Sequence, residues 1–138
     1  MAVRAAGFVI FRRITDHVEY LLLQASYGDR HWSPPKGHVE NNENDMETAL
    51  RETMEECGVK RDQLQIHEDF KRTLKYSVKG WPKEVVYWLA EVIDKNVFIR
   101  LSEEHQCYRW ATLDEARELS RYSEMQDLLA ECDQYLKK

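Results

Sequence analysis

Long apolar runs are missing from this chain. Nowhere do about 18 apolar residues follow one another, so no membrane-spanning helix is expected. Cysteine is scarce: Cys57, Cys107 and Cys132 stand apart, with no CxxC pair. An odd, unpatterned set of thiols points to reduced cysteines in an intracellular compartment, with the cytoplasm as the expected location. Ser/Gly linkers, repeats and low-complexity segments are absent, and 138 residues suit one core better than two. A single domain over residues 1–138, acting as a monomer, is therefore expected. Net charge is −5, which leaves no broad basic surface for long nucleic acid. An anionic ligand must instead be met by a local group of cations or by a metal. The opening MAVRAAGFVIFRR lacks a signal-peptide layout and reads as a first strand.

What is present is a regular alternation of elements. Ala6–Phe11 is β-branched and aromatic enough for a buried strand. Residues 15–17 form a turn, and Tyr20–Gln24 reads as a second strand paired with the first. Residues 26–36, SYGDRHWSPPK, read as a loop stiffened by two prolines. A helix should start at Asn44-Asp45 and run to Cys57, with Gly58 as its left-handed cap. Its apolar face is Ala49, Leu50, Thr53, Met54 and Cys57. A long, polar strand is expected over 64–79, then a turn at Gly80-Trp81-Pro82. A strong strand follows over 83–93, with Val85, Tyr87 and Leu89 on one face and Val86, Trp88 and Ala90 on the other. Tyr108–Trp110 is a short strand, residues 112–116 open a short helix with a capping box, and 123–136 form a final amphipathic helix. Trp88 and Trp110 read as packing residues. Interleaved strands and helices predict an α/β sandwich with a mixed sheet between helices.

Residues 37–59 read GHVENNENDMETALRETMEECGV. On a helix, Glu52, Glu55 and Glu56 fall within an arc of about 100°. Like charges at that spacing oppose one another. A solvated acidic face is the commonplace explanation. Against it stand Gly37, which permits close backbone approach, and a fixed spacing of acids around one arginine. Arg51 lies one turn before Glu55, and Glu43 approaches it from the N-terminal side. A hard divalent cation turns such crowding into attraction, because magnesium takes a few carboxylates together with substrate phosphates.

These residues resemble the Nudix box, G-x5-E-x7-R-E-U-x-E-E-x-G-U, where U is a bulky aliphatic. Gly37, Glu43, Arg51, Glu52, Glu55, Glu56, Gly58 and Val59 fill its places, and Thr53 departs from an aliphatic one. The resemblance implies a Nudix α/β/α sandwich with a mixed central sheet. It also implies hydrolysis of a nucleoside diphosphate linked to a further group, with Mg2+ or alternatively Mn2+. On this reading Glu52, Glu55, Glu56 and the Gly37 carbonyl are metal ligands, and Arg51 and Glu43 support them. A further carboxylate from a later loop is implied, and the string LSEEH selects Glu104 over Glu103 as ligand or general base.

The strings LLLQASYGDRHWSPPKGHVE, EVVYWLAEV and LSEEHQCYRW resemble one branch of that family, the animal-type asymmetrical diadenosine tetraphosphate hydrolases. The resemblance implies a small dinucleoside polyphosphate as substrate, in-line attack of water on one phosphorus, and ATP and AMP as products. His31, Lys36 and Lys83 are candidate phosphate contacts. Tyr76 and Tyr122 are candidates to sandwich an adenine, with Tyr27, Tyr87 and Trp32 in reserve. Alternatives are a Nudix enzyme acting on capped RNA 5′ ends or diphosphoinositol phosphates, or a non-catalytic nucleotide-binding Nudix module. The acidic net charge argues against long RNA. The scarcity of cations near the box argues against a highly phosphorylated inositol, and the complete set of box carboxylates argues against a non-catalytic module.

Overall fold

A computed structural model describes residues 3–138. Strand β1 spans Val3–Ile14 and β2 spans His17–Ala25, paired antiparallel with Phe11 opposite Tyr20. Two short strands follow, β3 (Trp32–Ser33) and β4 (Lys36–His38), so the double-proline segment is not a simple loop. Its ends are stitched into the sheet: β3 pairs with β2, and β4 pairs with β1 through Gly7 opposite Lys36.

Helix α1 spans Asp45–Cys57. The Asn44 side chain accepts from the Glu47 N–H, and the Glu47 side chain accepts from the Asn44 N–H. Gly58, at φ 76°, ends the helix by donating its N–H to Met54 O. The buried face differs from the expected one. Met54 is 53% exposed, while Thr48 and Glu56 are buried beside Ala49, Thr53 and Cys57. Burying Glu56 turns the acidic strip partly inward, and Met54, on the opposite side, rotates into solvent.

Strands β5 (Leu64–Val78) and β6 (Trp81–Val92) form a long antiparallel hairpin. Its turn is Lys79-Gly80, both at positive φ (51° and 82°), as a two-residue type I′ connection requires. Trp81 and Pro82 therefore begin β6 rather than turning the chain. β7 (His105–Ala111) pairs with β2, and α2 (Leu113–Leu119) and α3 (Ser123–Leu136) complete the chain. Thr112 and Glu115 form the expected capping box on α2.

The sheet runs β3-β2-β1-β6-β5, with β4 on β1 and β7 on β2. It is mixed, because β1 and β6 are parallel while the other pairs are antiparallel. Alternation along β1 and β6 divides the core. Ala5, Val9, Phe11, Val85, Tyr87 and Leu89 pack under α2 and α3. Ala6, Phe8, Ile10, Val86, Trp88 and Ala90 pack under α1, with Trp110 partly buried against them. The result is helix, sheet, helix, as the alternating pattern predicts. No helix among the described residues is long and apolar enough to cross a membrane.

The aliphatic position taken by Thr53 has a measurable consequence. Thr53 is fully buried and its Oγ1 has no hydrogen-bond partner. A buried hydroxyl without a partner is unfavourable by about 1–3 kcal/mol. Thr53→Val keeps the shape and removes the hydroxyl. Urea unfolding should show it more stable by about 1 kcal/mol; a less stable variant would mean that the hydroxyl has a water partner.

Candidate active site

Two cavities meet on the side of the sheet where α1, β4 and the 102–104 turn converge. The first, about 630 Å3, is charged: Gly37, Glu52, Glu55, Glu56, Lys36, Lys83, His38 and Glu104 line it. The second, about 590 Å3, is walled by Tyr76, Tyr122, Trp32, His31 and Arg121. Tyr27, Lys36 and Lys83 line both, so the two cavities adjoin at these three side chains.

Gly37 is where backbone and helix touch. A Cβ there would overlap the Glu52 carboxyl carbon and both its oxygens. Only glycine lets Glu52 lie against this strand. Glu56 is 5% exposed, and its Oε1 accepts the Lys36 N–H at 3.1 Å. Burial pushes its carboxyl up to about 7, with Glu52 and Glu104 adding to the rise and Lys36 opposing it. Glu52 is raised too, chiefly by burial and despite Arg51. Glu104 lines the same cavity and its charge raises both groups.

Arg51 organises the acids. Its Nε donates to Glu43 Oε2 at 2.6 Å, its Nη1 to Glu52 and Glu55 at 2.9 and 2.8 Å, and its Nη2 to the His38 carbonyl at 2.9 Å. The same ion pair holds the Glu43 carboxyl at about 2. Arg51 also spreads the acids. Among the described residues no three Asp, Glu, His or Cys side chains stand close enough to hold a metal ion as they are. The expected ligands share a cavity but do not yet share a point, because Glu52 and Glu55 lean toward the guanidinium. The donor set still fits a hard divalent cation: carboxylate oxygens, a raised and uncompensated Glu56, and a glycine carbonyl at a site without a side chain.

The cations sit where the cavities join. Burial lowers the Lys83 ammonium, and Lys36 lowers it further. Two ammonium groups that line the same cavities and feel each other's charge suit an anion. Lys83 Nζ also lies 6.0 Å from the Tyr76 ring centroid. Tyr76 and Tyr122 face each other at 6.4 Å with 12° between planes. A planar base between them needs two van der Waals separations, about 7 Å in all. The slot is nearly that wide already. Tyr122 is exposed and sits at the N-terminus of α3, while Tyr76 is anchored in β5 opposite Lys83.

His31 is held by Asp29, whose Oδ1 lies 3.0 Å from its Nδ1. Asp29 in turn accepts from Arg121, next to Tyr122, at 3.3 Å. Tyr27, exposed at the junction, meets His31 edge-on. Tyr87 also lines the second cavity, but at 1% exposure it forms its floor as part of the core rather than an open stacking wall.

Three residues escaped the sequence reading. His38 lines the charged cavity, its imidazole lowered first by burial and then by Lys83 and Lys36. His105 lies 3.8 Å from Glu56 Oε1, and burial pulls its imidazole down to about 4. Gly7, opposite Lys36, leaves room for β4. A glycine inside a strand pattern is a signal of close backbone approach, and it was available at Gly7.

The NUDIX domain profile matches residues 1–132. The asymmetrical bis(5′-nucleosyl)-tetraphosphatase of Mus musculus is 55% identical over 142 residues, covering 99% of this chain and 97% of that protein. The enzyme of the same name from Caenorhabditis elegans is 46% identical, covering 99% and 98%. The crystal structure of a C. elegans Ap4A hydrolase binary complex superposes with a TM-score of 0.95 at 46% identity, covering 99% of this chain and 98% of that one.

Proposed function

The chain belongs to the Nudix family, and from that premise we infer that it is an asymmetrical bis(5′-nucleosyl)-tetraphosphatase, hydrolysing diadenosine tetraphosphate to ATP and AMP. The full-length likeness to enzymes of that name supports this reading. The observation that carries it is the junction of two cavities: an aromatic slot of base width opens through two lysines onto a carboxylate cluster.

The chain's own residues divide the work. Tyr76 and Tyr122 stack one adenine. Lys36, Lys83 and His31 hold the polyphosphate as point charges and fix its register. Gly37, Glu52, Glu55, Glu56 and Glu104 hold the divalent cation, Mg2+ or alternatively Mn2+. Arg51 and Glu43 keep the carboxylates from repelling each other out of position. A divalent cation held by these residues would neutralise charge developing on phosphate oxygens and make a water more acidic. Glu52, Glu56 and Glu104 are the candidates to accept the proton of that water. In-line attack then falls on the phosphorus nearest the leaving adenosine. The protein acts as one domain over 1–138, a monomer on a small substrate. Its three free thiols support a reducing, cytoplasmic setting.

Incubation with diadenosine tetraphosphate and Mg2+ should yield equal ATP and AMP, abolished by EDTA. In 18O-labelled water the label should enter AMP. Two ADP, or label mainly in ATP, would overturn the attack site. No turnover at all would return the capped-RNA and diphosphoinositol substrates to first place.

The slot makes a separate prediction. Base–aromatic stacking is worth about 1–3 kcal/mol per base. Tyr122→Ala should therefore raise KM on the order of tenfold while kcat changes by less than about threefold, since Tyr122 touches no reacting atom. Equal KM in steady-state assays would remove the base from this slot.

A further inference from the structure

Behind Glu56 stands an imidazole for which the proposed reaction has no use. His105 opens β7 with its side chain 6% exposed. Its Nδ1 is buried with no hydrogen-bond partner, and its Nε2 lies 3.8 Å from Glu56 Oε1. Lys36 donates its N–H to that same oxygen at 3.1 Å. The backbone fixes the arrangement: the Ser102 N–H donates to the Glu56 carbonyl at 3.3 Å, and the His105 N–H donates to the Ser102 carbonyl at 3.2 Å. Glu104 lines the charged cavity from the same turn, and His105, the next residue, does not.

Resting on the site reading above, we propose that His105 is a positioning residue for Glu56: its Nε2–H holds one carboxylate oxygen so that the other is presented to the divalent cation. A neutral imidazole has one N–H and one bare nitrogen. With the proton on Nδ1, a buried donor would face no acceptor. With it on Nε2, the donor faces a carboxylate. Closing from 3.8 Å to a charge-assisted hydrogen bond of about 2.8 Å takes a small rotation of the Glu56 carboxyl. Lys36 and His105 then grip Oε1 from two directions, and Oε2 has one remaining orientation. Partners behind a ligand of this kind set affinity as well as rate.

The test compares His105→Leu with His105→Gln in the full chain. Leu fills the space without a donor, whereas the Gln amide N–H reaches near the place of Nε2. Mn2+ affinity is measured by electron paramagnetic resonance without substrate, alongside kcat and KM. His105→Leu should bind Mn2+ at least about tenfold more weakly, with kcat lowered and KM for diadenosine tetraphosphate unchanged. His105→Gln should stay within about threefold of the parent on all three. Parent-like Mn2+ binding by His105→Leu, or equal losses in both variants, would overturn the proposal. Should the Leu variant fail to fold, His105→Asn replaces it, because its shorter amide falls short of Glu56. Nitrogen-15 NMR of the metal-free parent supplies an independent reading, and a proton found on Nδ1 would overturn the proposal directly. A parent that binds Mn2+ but leaves diadenosine tetraphosphate intact overturns the substrate reading alone. A parent that binds no Mn2+ overturns both.

Discussion

Glu56→Gln should lower turnover at least ~100-fold and, at pH 8, make the metal-free protein more stable rather than less. The two effects share one cause. Glu56 is buried, and its carboxyl is pushed up to about 7. Its folded value therefore lies above its unfolded one, so the native state binds the extra proton. Stability from this group is full below about 4.5 and is lost as pH rises toward about 7. The gap corresponds to about 3 kcal/mol at most. Above pH 7 the metal-free fold holds a buried carboxylate whose one hydrogen bond among the described residues comes from the Lys36 N–H. Glutamine still offers Oε1 to that N–H and brings no charge, so the penalty disappears. What disappears with it is the charge that a cation needs. Thermal midpoints at pH 5 and 8, with and without Mg2+, separate these terms. His38 and His105, both lowered by burial, gain stability over the same pH range, so the comparison is between variants: relative to Glu56→Gln, the parent should lose stability between pH 5 and 8 and recover it with Mg2+ at pH 8. The Gln variant keeps the Glu52, His38 and His105 titrations but lacks the Glu56 loss, and Mg2+ at pH 8 should stabilise it less than the parent. Parent-like turnover by Glu56→Gln, or a lower midpoint at pH 8 without metal, would remove Glu56 from the metal site.

The features that were legible in the sequence are those written locally. Asn44 and Gly58 mark α1 because caps use residues adjacent to the helix. The two faces of β6 follow from period-two alternation, which needs no partner to be read. The Arg51–Glu55 pair is likewise local, an i,i+4 contact of helix geometry, and Glu43 joins it from the turn just before the Asn44 cap. What stayed hidden depends on pairing between distant strands. The Lys79-Gly80 turn is set by the β5–β6 register, and a tryptophan and a proline read as a break in its place. Met54 looked apolar and inward, but Glu56 took the buried place because β4 offers it an N–H. Tyr76 and Tyr122 lie 46 positions apart, and no spacing rule pairs them. They entered by resemblance, and the fold brings their rings face to face. His105 reaches Glu56 through the β2–β7 pairing and the 102–105 turn, neither of which has a short-range signature.

Gly7 is the most consequential of these long-range positions, and Gly7→Ala should be among the most damaging single methyl additions in the chain. Its Cβ would strike the Pro35 carbonyl oxygen and come within 2.8 Å of Lys36 Cα and Cβ. Both obstacles belong to the backbone, or to its first side-chain atom, in a segment stiffened by Pro34 and Pro35. That segment is also tied down, with Phe8 donating its N–H to the Pro35 carbonyl at 3.3 Å. β4 would have to leave β1, taking the Lys36 N–H from Glu56 and Gly37 from its seat against Glu52. Overpacking of this kind is worth about 3 kcal/mol. The residual folded protein should have lost most of its kcat/KM as well, because Glu52 and Glu56, two of the proposed metal ligands, lose their supports. A second glycine supplies the contrast. Gly80→Ala adds strain at φ 82° but meets no atom within 4 Å, so it should destabilise by about 1 kcal/mol and leave activity near parental. Urea unfolding and kcat/KM on both variants decide the matter. If Gly7→Ala were as mild as Gly80→Ala, β4 would be free to move. The close approach of β1 to β4 would then not be what holds Lys36 and Gly37 against the acidic helix.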